Sequence, residues 1–366
     1  MMKSEHTITQ GQLVFYIIQT QIGIALLSLP YTLFKVSKQD AWISILIAGI
    51  FVQIFLVIFW LLNSRFPTLT FYEILPKLIG EILGKIMVSI YAFQFTLFAS
   101  AVLILYSHLL KIWVLENTPI FVVILLLVFT GVYLGKQNLR IIARFSVFVS
   151  FFLLVLFVLV ALSFKDANFL YLLPMAKTGW LSVFNGSKEA TLAILGFDAY
   201  LVIGPFVQGP AKGKLKAVTI ANLFVTLFYT YLVVASLAYF SPREMKIIPE
   251  PILYLIKSFS FGVVERTDLV FISIWMVMVT TSFVNYLYIA SIGVATLFGQ
   301  PTHSRFVPYV AGVAALIALI IDNRETIKFF TKFVTNAGMV LVLLLPLTLL
   351  LISYLTRKKE TGVKNY

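Results

Sequence analysis

The sequence predicts an all-α polytopic membrane protein with ten transmembrane helices, and two observations support this fold class. Of its 366 residues, 60% are hydrophobic and only 12% are charged, whereas soluble domains average about 45–50% apolar and about 25% charged residues. Apolar runs close to the length of about 20 residues that a spanning helix requires also recur along the chain. The absence of cysteine excludes disulfides, thiolate metal sites and thiol nucleophiles.

Polar or Pro/Gly-bearing connections separate the apolar runs and define the expected spans. The ten spans cover residues 13–34, 42–62, 86–114, 120–134, 145–164, 183–207, 217–240, 269–297, 306–321 and 329–355. The fourth and ninth runs are short, so we expect their helices to begin inside the preceding loops.

Glycine and proline interrupt two of these spans at matching positions. Gly23 and Pro30 lie in the first span, and Gly196 and Pro205 lie in the sixth. Five spans separate these points, which predicts an inverted 5+5 repeat. Paired broken helices are typical of a midplane substrate site, because the interrupted backbone offers free N–H and C=O groups to a ligand. The alternative is that these residues only kink their helices.

The two repeats cover about residues 11–164 and 183–355 of a single transmembrane domain, 1–366, which ends in a tail at 356–366. Cytoplasmic loops are enriched in lysine and arginine, and with both termini in the cytoplasm the inner loops at 135–144 and 208–216 carry basic residues without acids. The net charge of +13 is spread over many short loops. Anionic lipid is therefore the expected partner of this charge, and nucleic acid is not.

Asp198 is the only carboxylate expected near the middle of a span. A charge at the bilayer centre costs about 2.5–3.5 kcal/mol on the insertion scale, so this side chain must face a cavity, a partner or a proton. Three roles stay open: contact with a ligand ammonium group, a protonation site, or a cap for N–H groups freed at the broken helix.

A polar patch in the eighth span consists of Thr281, Ser282, Asn285 and Tyr286, of which Ser282 and Tyr286 share one helical face. Such side chains often bond only to their own or a neighbouring helix. The patch therefore indicates a site only in combination with the paired interruptions.

Three titratable side chains within the apolar runs have expected roles outside the pocket. His108 is expected to form a hydrogen bond between packed helices. Lys188 and Glu189 are expected to extend toward the membrane interface along their aliphatic stems.

Residues 71–86 place apolar side chains on one helical face and offer the i,i+4 pairs Glu73/Lys77 and Glu81/Lys85. This pattern predicts one interfacial helix, kinked at Pro76. Residues 251–256 and Phe259 are too apolar for a free loop. They predict a short helix folded over the outer mouth of the site.

Signatures of catalysis are missing from the sequence. The segment 209–215 (Gly-Pro-Ala-Lys-Gly-Lys-Leu) has the wrong spacing for a phosphate loop and lacks the hydroxyl residue that would hold a metal. We expect no enzyme activity, no cofactor and no bound metal.

The string 21–30 (Gln-Ile-Gly-Ile-Ala-Leu-Leu-Ser-Leu-Pro) resembles the broken first helix of the amino acid–polyamine–organocation permease superfamily. Three further segments narrow the resemblance: 195–198 (Leu-Gly-Phe-Asp), 116–120 (Glu-Asn-Thr-Pro-Ile) and 262–268 (Gly-Val-Val-Glu-Arg-Thr-Asp), the last followed by Trp275. With the ten spans and the basic tail, the whole chain resembles the endospore germination permeases, the B subunits of spore nutrient germinant receptors.

This resemblance implies a leucine-transporter-type fold in the inner membrane of a dormant spore. It implies partners, namely an A subunit with soluble domains and a C lipoprotein, and a small nutrient ligand such as an amino acid, whose binding triggers ion release. It also implies that the ligand pocket is lined by Gln21, Gly23, Ile24, Ala25, Phe98, Leu195, Gly196, Asp198, Thr281, Ser282 and Tyr286.

The chain departs from the family pattern at two places. Ile24 and Ala25 stand where a second small glycine is usual, and Asp198 stands where glutamate is common. Both departures affect the size and polarity of the pocket. The alternative function is a secondary amino acid:cation symporter with Asp198 as the proton or ion carrier, and a third is a membrane scaffold with a vestigial pocket.

Overall fold

The computed structural model describes residues 7–174, 179–258 and 266–360, and within these ranges it is helical. The helices are α1 Gln10–Gln21, α2 Leu29–Ser37, α3 Ala41–Arg65, α4 Phe71–Ile79, α5 Glu81–Trp113, α6 Ile120–Gly135, α7 Leu139–Ser150, α8 Phe152–Ala161, α9 Trp180–Ala193, α10 Ala199–Ile203, α11 Ala211–Tyr239, α12 Pro251–Lys257, α13 Thr267–Leu297, α14 Val307–Ile320 and α15 Arg324–Leu355. This confirms the expected helical class.

Six helical segments of the described chain are long and apolar enough to cross a membrane, which identifies a multi-pass membrane protein. They are Leu29–Arg65, Glu81–Trp113, Leu139–Asp166, Ala211–Tyr239, Thr267–Leu297 and Arg324–Leu355. The first combines α2 and α3, which Lys38 separates with a φ of 51°. The apolar helices α6 and α14 are shorter.

The first predicted interruption is present. Thr9 and Gln12 form a capping box that begins α1. The helix ends at Gln21, because Ile22 and Gly23 leave helical geometry, and a 3₁₀ turn at Ile24–Leu27 follows. Pro30 then occupies the first turn of α2, where its missing N–H costs no hydrogen bond.

The second interruption lies at the matching place. Helix α9 ends at Ala193, and a turn over residues 194–198 precedes the short helix α10. Gly196 sits in this turn with a φ of 117°, a conformation that side chains with a Cβ rarely adopt. The first and sixth predicted spans are therefore both broken helices.

Helices α5 and α13 pack along each other at the centre of the bundle, and α1 packs against α7, α11 and α13. Helix α3 packs against α9 and α11. Both interruptions are thus enclosed by long continuous helices, which hold the irregular backbone away from lipid, as a membrane protein requires.

The expected single helix over residues 71–86 is wrong. Gly80, with a φ of 88°, separates α4 from α5, so the break lies four residues after Pro76. The apolar side chains of α4 are buried against the protein, whereas Ile82 is 78% exposed on α5. Of the two expected ion pairs, Lys85 contacts Glu81 at 2.8 Å. Glu73 instead accepts hydrogen bonds from Thr70 in a capping box.

The expected short helix after α11 is confirmed as α12, and Ile252, Leu253, Leu255 and Ile256 are buried. It packs against α13, α11 and the turn after Gly23. The ring of Tyr254 lies edge-on to Trp113 at the end of α5, with centroids 5.2 Å apart. Phe259, also expected in this helix, lies outside the described residues.

The chain segment before α1 closes the opposite end of the bundle. Ile8 forms a parallel bridge with Val207 just after α10, donating from its N–H to Phe206 O at 3.0 Å and accepting from Gln208 N–H at 2.9 Å. Arg140 Nε donates to Thr7 O from α7 at 3.1 Å. We refer to this end as the closed end.

Candidate functional site

A cavity of about 600 Å³ lies between the two broken helices. It extends from the interruptions toward the C-terminal end of α5, where Ile112 and Trp113 line it. This volume lies within the range of about 300–1,000 Å³ typical of small-molecule sites. The broken helices, α5, α13 and α15 contribute its walls.

Seven of the residues expected in the pocket line this cavity, namely Gln21, Gly23, Ala25, Phe98, Leu195, Ser282 and Tyr286. They come from four separate stretches of the chain, which packing brings to one place. Gly23 leaves open space, because a Cβ built on it would meet the Ser282 hydroxyl only at ordinary contact distance, 3.5 Å.

Gly196, Asp198 and Thr281 do not line the cavity. Gly196 packs against the backbone of α1, since a Cβ there would lie 2.7 Å from Thr20 O. Thr281 donates to Val277 O of its own helix at 3.0 Å. The side chain of Ile24 lies outside the described part of the structure.

The polar patch of α13 binds backbone carbonyls that the interruptions leave free. Ser282 Oγ donates to Gln19 O at 2.7 Å, and Tyr286 Oη donates to Thr20 O at 3.2 Å. Asn285 Nδ2 donates to Thr20 Oγ1 at 2.8 Å. Buried backbone groups need such partners, so Ser282 and Tyr286 stabilise the broken conformation of the first span, and Asn285 adds a side-chain bond to the same helix.

Aromatic rings form the floor of the cavity. Phe98 and Tyr286 line it with centroids 5.5 Å apart. Phe95 lies 6.0 Å from Phe98 and 6.1 Å from Tyr286 and is 1% exposed. We call these three side chains the aromatic floor, because they separate the cavity from the buried residues beneath it.

Asp198 lies beneath the aromatic floor and is 1% exposed. Tyr91 Oη donates to its Oδ2 at 3.2 Å, and the Tyr91 ring is 5.3 Å from that of Phe95. The carboxyl precedes α10 but makes no capping hydrogen bond to it. In this conformation Asp198 does not line the cavity. Besides Tyr91, its carboxyl interacts with the backbone N–H groups of Gly196 and Asp198 in the turn before α10, so the role of a cap for N–H groups freed at the break is the one that this arrangement favours.

Sequence reasoning missed the residues at the far end of the cavity. Glu189, Glu250, His108, Lys332 and Thr335 line it there. Burial raises the pKa of Glu250, which the charge of Arg324 partly opposes. One sequence feature indicates the contribution of α15: Thr331 and Thr335 lie one helical turn apart in an apolar run and so share one face.

Among these residues, His108 forms the hydrogen bond between packed helices that the sequence predicts. Its Nδ1 lies 2.9 Å from Ile104 O, and its Nε2 lies 3.0 Å from Asp322 O before α15. The sequence predicts that Glu189 extends toward the membrane interface, whereas in the structure it is half-buried and lines the cavity. The face of α9 that carries Glu189 therefore turns toward the bundle interior, an orientation that the hydrophobic periodicity of the segment does not predict.

Solved structures similar to this chain are membrane transporters. A Na⁺-coupled sialic acid symporter aligns with a TM-score of 0.64 at 12% identity, covering 93% of this chain and 80% of its own. MHP1, a nucleobase-cation-symport-1 family transporter, aligns with a TM-score of 0.62 at 13% identity, covering 92% of this chain and 77% of its own. The manganese transporter of Eremococcus coleocola aligns with a TM-score of 0.58 at 14% identity, covering 93% of this chain and 78% of its own. At such identities the likeness shows the fold, which is the leucine-transporter-type fold that these transporters share.

Curated relatives match over nearly the full length. Spore germination protein GerQB of Bacillus cereus is 24% identical over 92% of this chain and 93% of its own length. Spore germination protein YndE of Bacillus subtilis (strain 168) is 25% identical over 96% of this chain and 98% of its own length. Spore germination protein A2 of the same strain is 26% identical over 93% of this chain and 94% of its own length. The family model described as "Spore germination protein" matches residues 7–327. The chain therefore belongs to the spore germination protein family.

Proposed function

We propose that this chain is the membrane-embedded subunit of a germinant receptor and that it binds a small nutrient in the cavity between its broken helices. One observation carries the proposal: Gln21, Gly23, Leu195 and Ser282, from both interruptions and α13, line one cavity. Such paired interruptions form the substrate sites of many transporters. The family and the transporter fold support a permease-like receptor.

The ligand that fits this cavity best is a small zwitterion such as an amino acid. The end at the interruptions offers neutral polar groups beside Phe98 and Ala25, which suit an apolar side chain. The far end offers Glu189 and Lys332, groups of opposite charge. These two side chains are the candidates for binding the ammonium and carboxylate groups, in place of Asp198, which the cavity does not reach.

The membrane arrangement follows from the same fold. We propose ten crossings in two inverted repeats of five, in which α6, α14 and the two broken helices add to the six long apolar segments. Both termini would then lie in the cytoplasm of the spore core, at the closed end. The basic loops at that end would face anionic lipid headgroups.

The receptor partners are an A subunit with soluble domains and a C lipoprotein, as the resemblance to the germination permeases implies. The names of the relatives support a place in such a receptor, because GerQB and GerLB of Bacillus cereus are both named as spore germination proteins. Ligand binding in the cavity would then be transmitted to those partners.

Deletion of the gene in its spore-forming source tests this proposal against the symporter alternative. Purified spores would be scored for loss of refractility with single amino acids, sugars and salts. The proposal predicts loss of the response to one nutrient mixture with uptake by growing cells unchanged. Normal germination together with impaired uptake of one amino acid would instead support the symporter.

A further inference from the structure

The connection between α13 and α14 carries a solitary positive charge. Between Asp268 and Asp322, Arg305 is the only lysine, arginine, aspartate or glutamate in the sequence. Its side chain is exposed. The ion pairs found in the described part of the chain join Glu81 to Lys85 and Arg266 to Asp268, so no described carboxylate pairs with Arg305. The guanidinium is therefore free to bind an anion from outside the chain.

This connection is fixed at the closed end of the bundle. Nε2 of His303 lies 3.0 Å from the carbonyl oxygen of Gly135, the last residue of α6, and the His303 ring lies 4.5 Å from that of Tyr288. After Gly135 the chain enters α7, whose Arg140 binds Thr7 at the closed end. Arg305 thus lies on the same side of the membrane as the loop 135–144, which carries basic residues without acids.

A surface cavity of about 430 Å³ opens at this connection. Its lining combines the guanidinium of Arg305 and the amide of Gln300 with the aromatic rings of Phe298, Phe306 and Tyr309. The rings of Phe298 and Phe306 are nearly parallel, with 10° between their planes and centroids 5.5 Å apart. Phe298 and Tyr309 are both largely exposed. A cationic donor beside uncovered rings suits a ligand that has an anionic part and an apolar part.

Exposed apolar side chains continue from this cavity along α14. Tyr309, Val313, Leu316 and Ile320 are spaced four, three and four residues apart, so they share one helical face, and each is exposed. At 1.5 Å per residue, this face extends for about 16–17 Å. One leaflet supplies about half of the 30 Å hydrocarbon thickness of a bilayer. The face therefore has the length of one acyl chain and begins beside the charge of Arg305.

We propose that the cavity between α13 and α14 binds one anionic phospholipid from the leaflet at the closed end. The phosphate accepts hydrogen bonds from Arg305, because a planar guanidinium donates two parallel bonds to such a group. The rings of Phe298 and Phe306 contact the glycerol region, and one acyl chain follows the exposed face of α14. Basic pockets between transmembrane helices bind headgroups of this kind. This site is more specific than a general attraction of basic loops to the membrane surface, because it depends on one named cation.

Native mass spectrometry of the purified full-length protein tests the site. The protein would be titrated in a neutral detergent with dioctanoyl phosphatidylglycerol and, separately, with phosphatidylcholine of the same chain length. We expect the wild type to retain one phosphatidylglycerol molecule in preference to phosphatidylcholine. Arg305→Gln should weaken phosphatidylglycerol binding by about tenfold or more, because a hydrogen bond between charged groups is lost. Phe298→Ala, which leaves the charge in place, should weaken it as well.

Arg144→Gln is the matched control, since it removes the same charge from an exposed position on the neighbouring helix α7. We expect it to bind phosphatidylglycerol like the wild type. Equal weakening by Arg305→Gln and Arg144→Gln, or no preference of the wild type for the anionic lipid, would overturn the proposal. Displacement of the lipid by an equal concentration of inorganic phosphate would show a site for free anions and would also overturn it. Because no nutrient is present, the outcome is independent of the receptor function proposed above.

Discussion

Gln21 Nε2 of the first broken helix donates a hydrogen bond to the carbonyl oxygen of Ile194 in the second, across 3.2 Å. The two residues are 173 positions apart, the same separation as that of Gly23 and Gly196, so equivalent points of the two repeats are joined directly. Tyr229 Oη also donates to Gln21 O at 3.1 Å. The two interruptions therefore act as one structural unit, and damage to either should affect both.

Gly196→Ala should destabilise this unit. The substitution requires alanine at a φ of 117° and places its Cβ 2.7 Å from Thr20 O, a backbone atom. Strain at such a position costs about 1–3 kcal/mol, and the overlap adds to it. Thermal unfolding of the detergent-solubilised protein would show the loss. Gly179→Ala is the control, because its φ is 80° with no heavy atom within 4 Å. Equal losses for the two variants would contradict the packing of Gly196 on α1.

Ser282→Ala should destabilise the protein, whereas Thr281→Ala on the same helix should be close to neutral. Ser282 donates to Gln19 O and Ile22 O of the first span, but Thr281 bonds only within α13. Leaving buried carbonyls without a donor costs about 1–3 kcal/mol. The measurement is the free energy of unfolding of each variant in the same detergent. A larger loss for Thr281→Ala would contradict the assigned role of the patch.

Glu250→Gln should change how stability depends on pH. Burial raises the pKa of Glu250 in the folded protein, so the folded state holds this proton more tightly than the unfolded state, whose pKa is about 4.3. The stabilising effect of the proton is present below that value and is lost as the pH rises through the raised, folded pKa. The Glu250→Gln protein does not lose stability in this way, because glutamine does not titrate. The melting temperatures of the wild type and Glu250→Gln should therefore converge in acid, and at neutral pH the variant should melt at the higher temperature. Melting temperatures that differ by the same amount at every pH would contradict the raised pKa of Glu250.

Trp113→Ala should loosen α12 from the end of α5. The indole packs edge-on against Tyr254 and lies 5.6 Å beneath the ammonium group of Lys257, and an aromatic pair of this kind contributes about 0.5–1.5 kcal/mol beyond its buried area. We expect faster proteolytic cleavage within α12 in sealed vesicles. Trp180→Ala is the control, since Trp180 is 63% exposed. Equal cleavage rates in the two variants would show that Trp113 does not hold α12.

The interruptions were predictable because their causes are local. Gly196 has a backbone conformation that favours glycine, and Pro30 stands in the first turn of a helix, a position that proline favours. The break at Gly80 has an equally local cause, a φ of 88°. There the uninterrupted apolar period on both sides of the glycine suggested one helix, although only the first part of that face is buried.

The membership of the site was less predictable, because it depends on packing between distant segments. Inside the turn at 194–198 the helical period no longer sets the direction of each side chain, so Leu195 points into the cavity and Asp198 lies beneath it. Glu189 and Lys332 reach the cavity only through the way α9 and α15 pack against the bundle. No spacing within either segment shows that contact.

Germination of spores that carry Gly23→Leu is the most direct test of nutrient binding at the broken helices. The added side chain would fill the cavity beside Ser282, while Gly312→Leu, which has open space around it, serves as the control. With both proteins present at wild-type levels, the account predicts that Gly23→Leu spores lose their response to the nutrient by about tenfold or more, equivalent to about 1.4 kcal/mol of binding free energy, and that Gly312→Leu spores respond normally. An unchanged nutrient response in Gly23→Leu spores would contradict the account.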